Sequence, residues 1–270
     1  MTKSKPTVLF LFNSSTYAVQ PWINDGRFTV VSVDYDDTDH SGAHNEPSAG
    51  HTVLNIDLSS PYAVNAVRDA LRGLGLQYPS LVVSFAPCTD LAVSGATHFE
   101  RKRNANPMFQ RDAARMARLV EEFQCPYAVE NPVSVLSTLW RKPCLYFHPY
   151  HFAYLCPEGP HPEFPNVIPE RDLYRKKTGL WTGNGFVPPL KVEPPENVLR
   201  NISEVNPGFA KLGGKSAKTK YIRSLTPRGL AEAIYYANRE SVLDTFNSQK
   251  GVTRVEISVQ YDLYTAEDEK

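Results

Sequence analysis

The chain has 270 residues, a mass of 30.3 kDa, 41% hydrophobic and 21% charged residues, which suits one folded unit able to bury a sizeable core. Its 29 Lys+Arg against 29 Asp+Glu exclude a uniformly basic nucleic-acid coat, though not a local basic face. The longest apolar runs are strand-sized, so no membrane partner is expected.

Taken in order, Thr7-Val-Leu-Phe-Leu-Phe12 reads as a buried strand, broken by Asn13-Ser14-Ser15-Thr16, after which 17–25 can begin a helix. Phe28–Asp34 is a second strand with an acid at its carboxyl end, followed by a polar loop over 40–51. Thr52–Asp57 is a third strand, and Tyr62, Val64, Val67, Leu71 and Leu74 give helical spacing over 61–74. Ser80–Phe85 is a fourth strand, stopped by Ala86-Pro87-Cys88. Met108, Ala113, Met116, Leu119, Val120 and Phe123 share one face of a helix over 108–123. Pro126–Glu130 is a fifth strand, leaving through Asn131-Pro132.

The texture then changes. Residues 141–200 hold 11 of the 22 prolines, with a strand near Leu180-Trp181. Residues 227–240 form a helix opening on Thr226 and Pro227. Val252–Val259 alternates like a strand, and 266–270 should fray. The expected divisions are a catalytic core over 1–140, an irregular Pro-rich insertion over 141–222, and a completing helix with a tail over 223–270. Strands alternating with helices argue a doubly wound, mostly parallel α/β sheet, whose ligands sit at the carboxyl ends of the strands.

Those ends hold the chemistry. Cys88, after a proline at a strand end, is held in one direction and suits a reactive thiolate if its pKa is depressed. Glu130, closing the next strand, suits a general acid if its pKa is raised. Asp34 stands where doubly wound folds bind ribose hydroxyls, with Asp36 a weaker competitor. Cys144, His148, His151, Cys156 and His161 are dense enough for a structural zinc but lack a paired Cys-x2-Cys. The aromatics between them offer a packed loop instead, and no metal is assigned.

Two stretches are basic. Arg101, Lys102, Arg103 and Arg111 follow Cys88. Six basic residues and no acid lie between Lys211 and Arg228, among them Lys215, Lys218, Lys220 and Arg223 around Gly213-Gly214. Flexible positive loops of this kind suit phosphate contacts. The four cysteines are too few for a disulfide scaffold and read as reduced thiols. Met1–Pro6 lacks a secretory signal's apolar stretch, so a cytoplasmic location is expected.

Together these residues resemble the DNA (cytosine-5) methyltransferases, in their short, phage-type branch. Ser84-Phe85-Ala86-Pro87-Cys88 is similar to that family's Pro-Cys motif, and Val129-Glu130-Asn131-Pro132 to its Glu-Asn-Val motif. Leu11-Phe12-Asn13-Ser14, Asp34-Tyr35 and Asn55-Ile56-Asp57 resemble its cofactor motifs, and Arg223–Pro227 its C-terminal ones. The resemblance implies a class I S-adenosylmethionine-dependent methyltransferase-like fold. It also implies S-adenosylmethionine as cofactor, held by Phe12, Asn13, Ser14, Asp34, Tyr35, Asp57 and Pro87. Cys88 would add to C6 of a flipped cytosine, with Glu130 at N3 and Asn131 and Pro87 holding the geometry. Double-stranded DNA would be contacted by Arg101, Arg103, Lys177, Lys215, Lys218, Lys220 and Arg223, and the protein would act as a monomer in DNA methylation or restriction-modification.

The chain departs from that family in a first loop without glycine, in having Arg175-Lys176-Lys177-Thr178 where a Gln-x-Arg-x-Arg motif belongs, and in leaving no room for a full target-recognition domain. A free pyrimidine nucleotide as substrate, a non-catalytic DNA-binding protein and a cysteine hydrolase using His98 are the other readings.

Overall fold

The computed structural model describes residues 4–13, 15–35, 50–204, 212 and 216–249. The expected strand over 252–259, the tail, Ser14, Asp36 and Lys215 lie outside the described residues.

One seven-stranded sheet organises the chain. It contains β1 (Thr7–Leu11), β2 (Thr29–Asp34), β3 (His51–Asn55), β4 (Pro79–Ser84), β5 (Tyr127–Pro132), β6 (Leu145–Phe147) and β7 (Thr178–Gly183). Their spatial order is β3-β2-β1-β4-β5-β7-β6, with β1 to β5 parallel and β7 antiparallel to both β5 and β6. The order reverses between β1 and β4, the switch point where a crevice opens at the carboxyl ends. Two strands of this sheet come from the Pro-rich stretch 141–222.

Alternation along the strands builds two cores. Leu9, Leu11, Val31, Val33, Val82 and Val129 face one side, and Val8, Phe10, Val30, Leu81, Val83 and Ala128 the other. The first side is covered by α2 (Ala63–Gly73) and α4 (Phe109–Arg118), which bury Val64, Val67, Leu71, Ala113 and Ala117. The second is covered by α1 (Gln20–Asp25) and the long final helix, α8 (Arg228–Gln249). Trp22 of α1 is fully buried there, edge-on to Phe28 at 4.9 Å and to Tyr235 at 5.2 Å. Burying such a ring is worth about 3 kcal/mol. The remaining helices are α3 (Phe99–Ala105), α5 (Leu136–Leu139), α6 (Glu196–Glu204) and α7 (Ala217–Ser224).

Three expectations are corrected here. The helix expected over 108–123 is α only as far as Arg118; Leu119–Phe123 tightens into a 3-10 turn that still buries Leu119, Val120 and Phe123. The basic segment after Cys88 is not wholly loop, because 99–105 forms α3, which buries none of its residues. The glycine-containing loop expected over 211–223 is helical from Ala217, where the Ser216 side chain caps by accepting the Thr219 N–H at 3.2 Å.

Candidate active site

Parallel β4 and β5 lie side by side with Ser84 opposite Val129, so the residues that follow each strand end on the same rim. Cys88 comes four residues past Ser84, and its carbonyl accepts the N–H of Leu91 at 3.0 Å and of Ala92 at 2.8 Å. That turn directs the chain back across β5, where Ala92 bridges Ser134. Asn131 is fully buried and its Nδ2 donates to the Ala86 carbonyl at 2.9 Å, tying the two exits together. Pro87 stands exposed between them.

Antiparallel β7 supplies what the two parallel strands lack. Because Pro132 pairs with Thr178, the segment leading into β7 reaches the rim where β5 ends. Lys176 Nζ thereby stands 3.8 Å from Glu130 Oε1, with the two side chains 20% and 12% exposed. The same Nζ donates to the Arg223 carbonyl at 3.1 Å, in the last turn of α7. Lys176 was one of four consecutive residues that the sequence leaves unresolved; its orientation depends on the reversal of β7, which no local pattern signals.

Electrostatics follow from burial. The Glu130 carboxyl is pushed above the usual carboxylate range by burial, with Lys176 pulling the other way. The Cys88 thiol is pushed up by burial and by the Glu130 charge, against Lys176 and Arg223. The depressed pKa expected for a standing thiolate is therefore not found: Cys88 rests as a neutral thiol beside a protonatable carboxyl. Tyr174, buried nearby, is also pushed up, first by burial and then by Asp172 and Glu130.

Across the switch point, Phe12 adopts a left-handed backbone with φ 53° and its N–H donates to the Val33 carbonyl at 2.8 Å. Asn13 turns inward, donating from Nδ2 to Ser32 Oγ at 3.1 Å, and that oxygen also meets His51 Nε2 at 2.9 Å. Asp34 ends β2, half-buried, with Oδ1 accepting the Tyr35 N–H at 2.9 Å; Tyr35 is exposed beside it. Asp57 lies two residues beyond β3, exposed, and its Oδ1 accepts the Ser59 N–H at 2.8 Å and the Ser59 hydroxyl at 2.6 Å. Asp34 and Tyr35 thus stand at the carboxyl end of β2, whereas the side chains of Asn13 and Asp57 bond to Ser32 and Ser59.

The basic residues are dispersed. Arg101 and Arg103 are exposed on α3, and Lys218, Lys220 and Arg223 are exposed on α7. Lys177 lies over the Tyr146 ring at 5.2 Å. The five Cys/His residues weighed for zinc have other partners. His151 meets Glu193 at 2.8 Å, His161 Nδ1 accepts the Phe164 N–H at 3.2 Å, and His148 stacks on Tyr150 at 5.0 Å. Cys156 is buried beneath Gly229, and Cys144 is exposed near Arg141. Among the described residues no group of three His, Cys, Asp or Glu could hold a metal ion, and no helix is long and apolar enough to cross a membrane.

No family model matches the chain, and no curated protein does. Similar solved structures include the Bordetella bronchiseptica enzyme WbmH in complex with NAD+, with 11% identity and a TM-score of 0.26, over 43% of this chain and 36% of that one. They include Cj0485 dehydrogenase, with 11% identity and a TM-score of 0.29 over 52% and 55%. A third is a short chain dehydrogenase from Leptospira borgpetersenii with bound NAD+, with 12% identity and a TM-score of 0.24 over 45% and 49%. The chain thus spans from about a third to just over half of the length of these proteins.

Membership of the DNA (cytosine-5) methyltransferases, methyl transfer to cytosine and S-adenosylmethionine as cofactor are corrected on these findings. No family or curated match supports them, and the similar structures are dehydrogenases and NAD-binding enzymes. The associated roles in DNA methylation and restriction-modification are withdrawn with them. Overlap on this scale is confined to part of each chain, and assigns no nicotinamide cofactor here either.

Proposed function

We propose that the carboxyl-end rim is an active site for covalent addition of the Cys88 thiol to an electron-poor, conjugated carbon, with Glu130 as general acid. The observation that carries this is the cluster itself: a half-buried thiol and a buried carboxyl on adjoining strand exits, with Lys176 3.8 Å from the carboxylate. A lone thiol would be inert here, because burial and Glu130 keep it protonated. A paired acid changes that. Sulfur bonds to the substrate carbon, and the π pair moves onto the conjugated nitrogen or oxygen. That atom takes the proton from Glu130, while the thiol proton passes to solvent. The Glu130 carboxylate so formed faces Lys176, which offsets its charge. Reversal of these steps frees Cys88.

Asp34 and Tyr35, at the end of β2 beside the switch point, suit a ligand bearing a ribose diol, with the carboxylate on the hydroxyls and the exposed ring against its base. The exposed cations of α3 and α7 suit the phosphates of DNA. In architecture we read the sheet as class I methyltransferase-like on its strand order and direction, since β7 runs against β5 where an all-parallel dinucleotide fold would continue.

The test is acrylamide, a simple conjugated acceptor, followed at the Cys88 peptide by mass spectrometry. Wild type should form the adduct, and in Glu130→Gln its rate should fall relative to the rate at which iodoacetamide, which needs only the thiolate, labels the same thiol, while labelling of exposed Cys144 stays the same. An acrylamide-to-iodoacetamide rate ratio at Cys88 that does not fall would refute the acid role.

A further inference from the structure

We propose that α7 holds Lys176 back from Glu130, and that a polyanion drawing on the exposed cations of α7 releases it to complete the site. The inference rests on the reading of Cys88 and Glu130 as a working pair and of α7 as a phosphate-contacting surface.

Three observations support it. First, Lys176 makes a full hydrogen bond to the Arg223 carbonyl at 3.1 Å, yet stands at 3.8 Å from Glu130 Oε1, beyond hydrogen-bond reach. The nearer partner is the negative end of a helix, so α7 competes with the carboxylate for the same ammonium. Second, Lys218, Lys220 and Arg223 are exposed on the helix that supplies this carbonyl. No ion pair of theirs is found among the described residues. A ligand that attracts them pulls on the carbonyl that holds Lys176. Third, besides the packing of Ile222 against Ile168 and Tyr174, α7 is tied to the start of the chain through one carboxylate. Tyr221 of α7 donates to Glu163 Oε2 at 3.0 Å, and Tyr17, in the segment after β1, donates to Glu163 Oε1 at 2.7 Å. The helix is therefore linked both to the segment after β1, through Glu163, and to the segment entering β7, through Lys176.

The charged groups acting on Cys88 are Glu130, Lys176 and Arg223. Movement of Lys176 toward Glu130 neutralises the carboxylate that opposes thiol ionisation. The thiolate fraction should then rise, and with it the rate of attack on an alkylating reagent.

The experiment uses the full chain, iodoacetamide at about pH 8 and a duplex DNA of about 20 base pairs as the polyanion, with the Cys88 peptide quantified by mass spectrometry. DNA should speed alkylation of Cys88 in the wild type by at least about threefold, as a modest fall in thiol pKa would produce. Lys176→Met should bind the same DNA but show a lower basal rate and no acceleration. Lys176→Arg, which keeps the charge, should retain a response. DNA that binds without changing the wild-type rate overturns the coupling and leaves the phosphate surface standing. A rate that falls on DNA binding in wild type and Lys176→Met alike is shielding of the thiol, and also overturns it. Absence of DNA binding removes both the surface and the proposal built on it, while the acrylamide experiment still reads Glu130 separately.

Discussion

Removing the Asp172 carboxylate should be among the most damaging single changes away from the rim. Asp172 and Arg228 are 2% and 7% exposed in their side chains, and the carboxylate accepts three hydrogen bonds from that one residue. These come from the Arg228 backbone N–H at 2.5 Å, from Nε at 3.2 Å and from Nη2 at 3.1 Å. The pair joins the Pro-rich segment before β7 to the first turn of α8. Asp172→Ala leaves the guanidinium buried with the Pro160 carbonyl, 3.4 Å from Nη1, as its remaining acceptor among the described residues. Breaking one side of a buried pair costs about 3–5 kcal/mol, against about 0–1 kcal/mol for an exposed pair such as Arg72–Asp69. Urea unfolding followed by circular dichroism is the assay. With a slope of about 3 kcal/mol per molar, the midpoint should fall by more than about 1 M. Asp69→Ala should scarcely move it, and the double variant Asp172→Ala/Arg228→Met should recover part of the loss. A midpoint shift for Asp172→Ala no larger than that of Asp69→Ala would refute the reasoning.

Gly229→Ala should destabilise by more than about 2 kcal/mol, since its Cβ would run into the Phe152 carbonyl and lie 3.3 Å from Cys156 Cβ; thermal unfolding reads this. His148 is held down at about 4, from 6.5, by burial, with His151, Arg175 and Lys177 adding and Glu193 opposing. The folded state prefers the neutral ring, so this stabilisation is whole above pH 6.5 and drains away as pH falls toward 4. His148→Gln should therefore lose less stability than wild type across that window in acid denaturation. Replacing Lys218 and Lys220 by Ala should weaken all DNA sequences alike and flatten the log–log salt dependence by about one unit per lost contact, measured by fluorescence anisotropy.

The first five strands were legible because alternation and strand-end residues agree: the buried runs 7–12 and 80–85 became β1 and β4, and Asp34, Cys88 and Glu130 all arrive at one rim. Glu130 and Asn131 could be placed because a parallel sheet sends every strand end the same way. Lys176 could not, since its position follows from β7 running antiparallel, and a short strand in a Pro-rich stretch does not announce its direction. The thiolate expected at Cys88 failed for a similar reason. Burial is a property of the packed rim, and it outweighs the basic residues that are conspicuous in the sequence. Helix α7 was missed because four lysines and two glycines read as a solvated loop, while the Ser216 cap and the packing of Ile222 made it a helix.

The central claim is that Glu130 acts on Cys88 in two opposed ways, as a charge that suppresses the thiolate and as an acid that assists addition. Alkylation rates at the Cys88 peptide, measured in wild type and Glu130→Gln with iodoacetamide and with acrylamide at one pH, separate the two. Iodoacetamide needs only the thiolate, so the variant should react faster, because the carboxylate that raises the thiol is gone. Acrylamide needs the thiolate and also a proton delivered to its oxygen, so in the variant its rate should fall relative to that of iodoacetamide. An iodoacetamide rate that does not rise, or an acrylamide-to-iodoacetamide ratio that does not fall, would contradict the account.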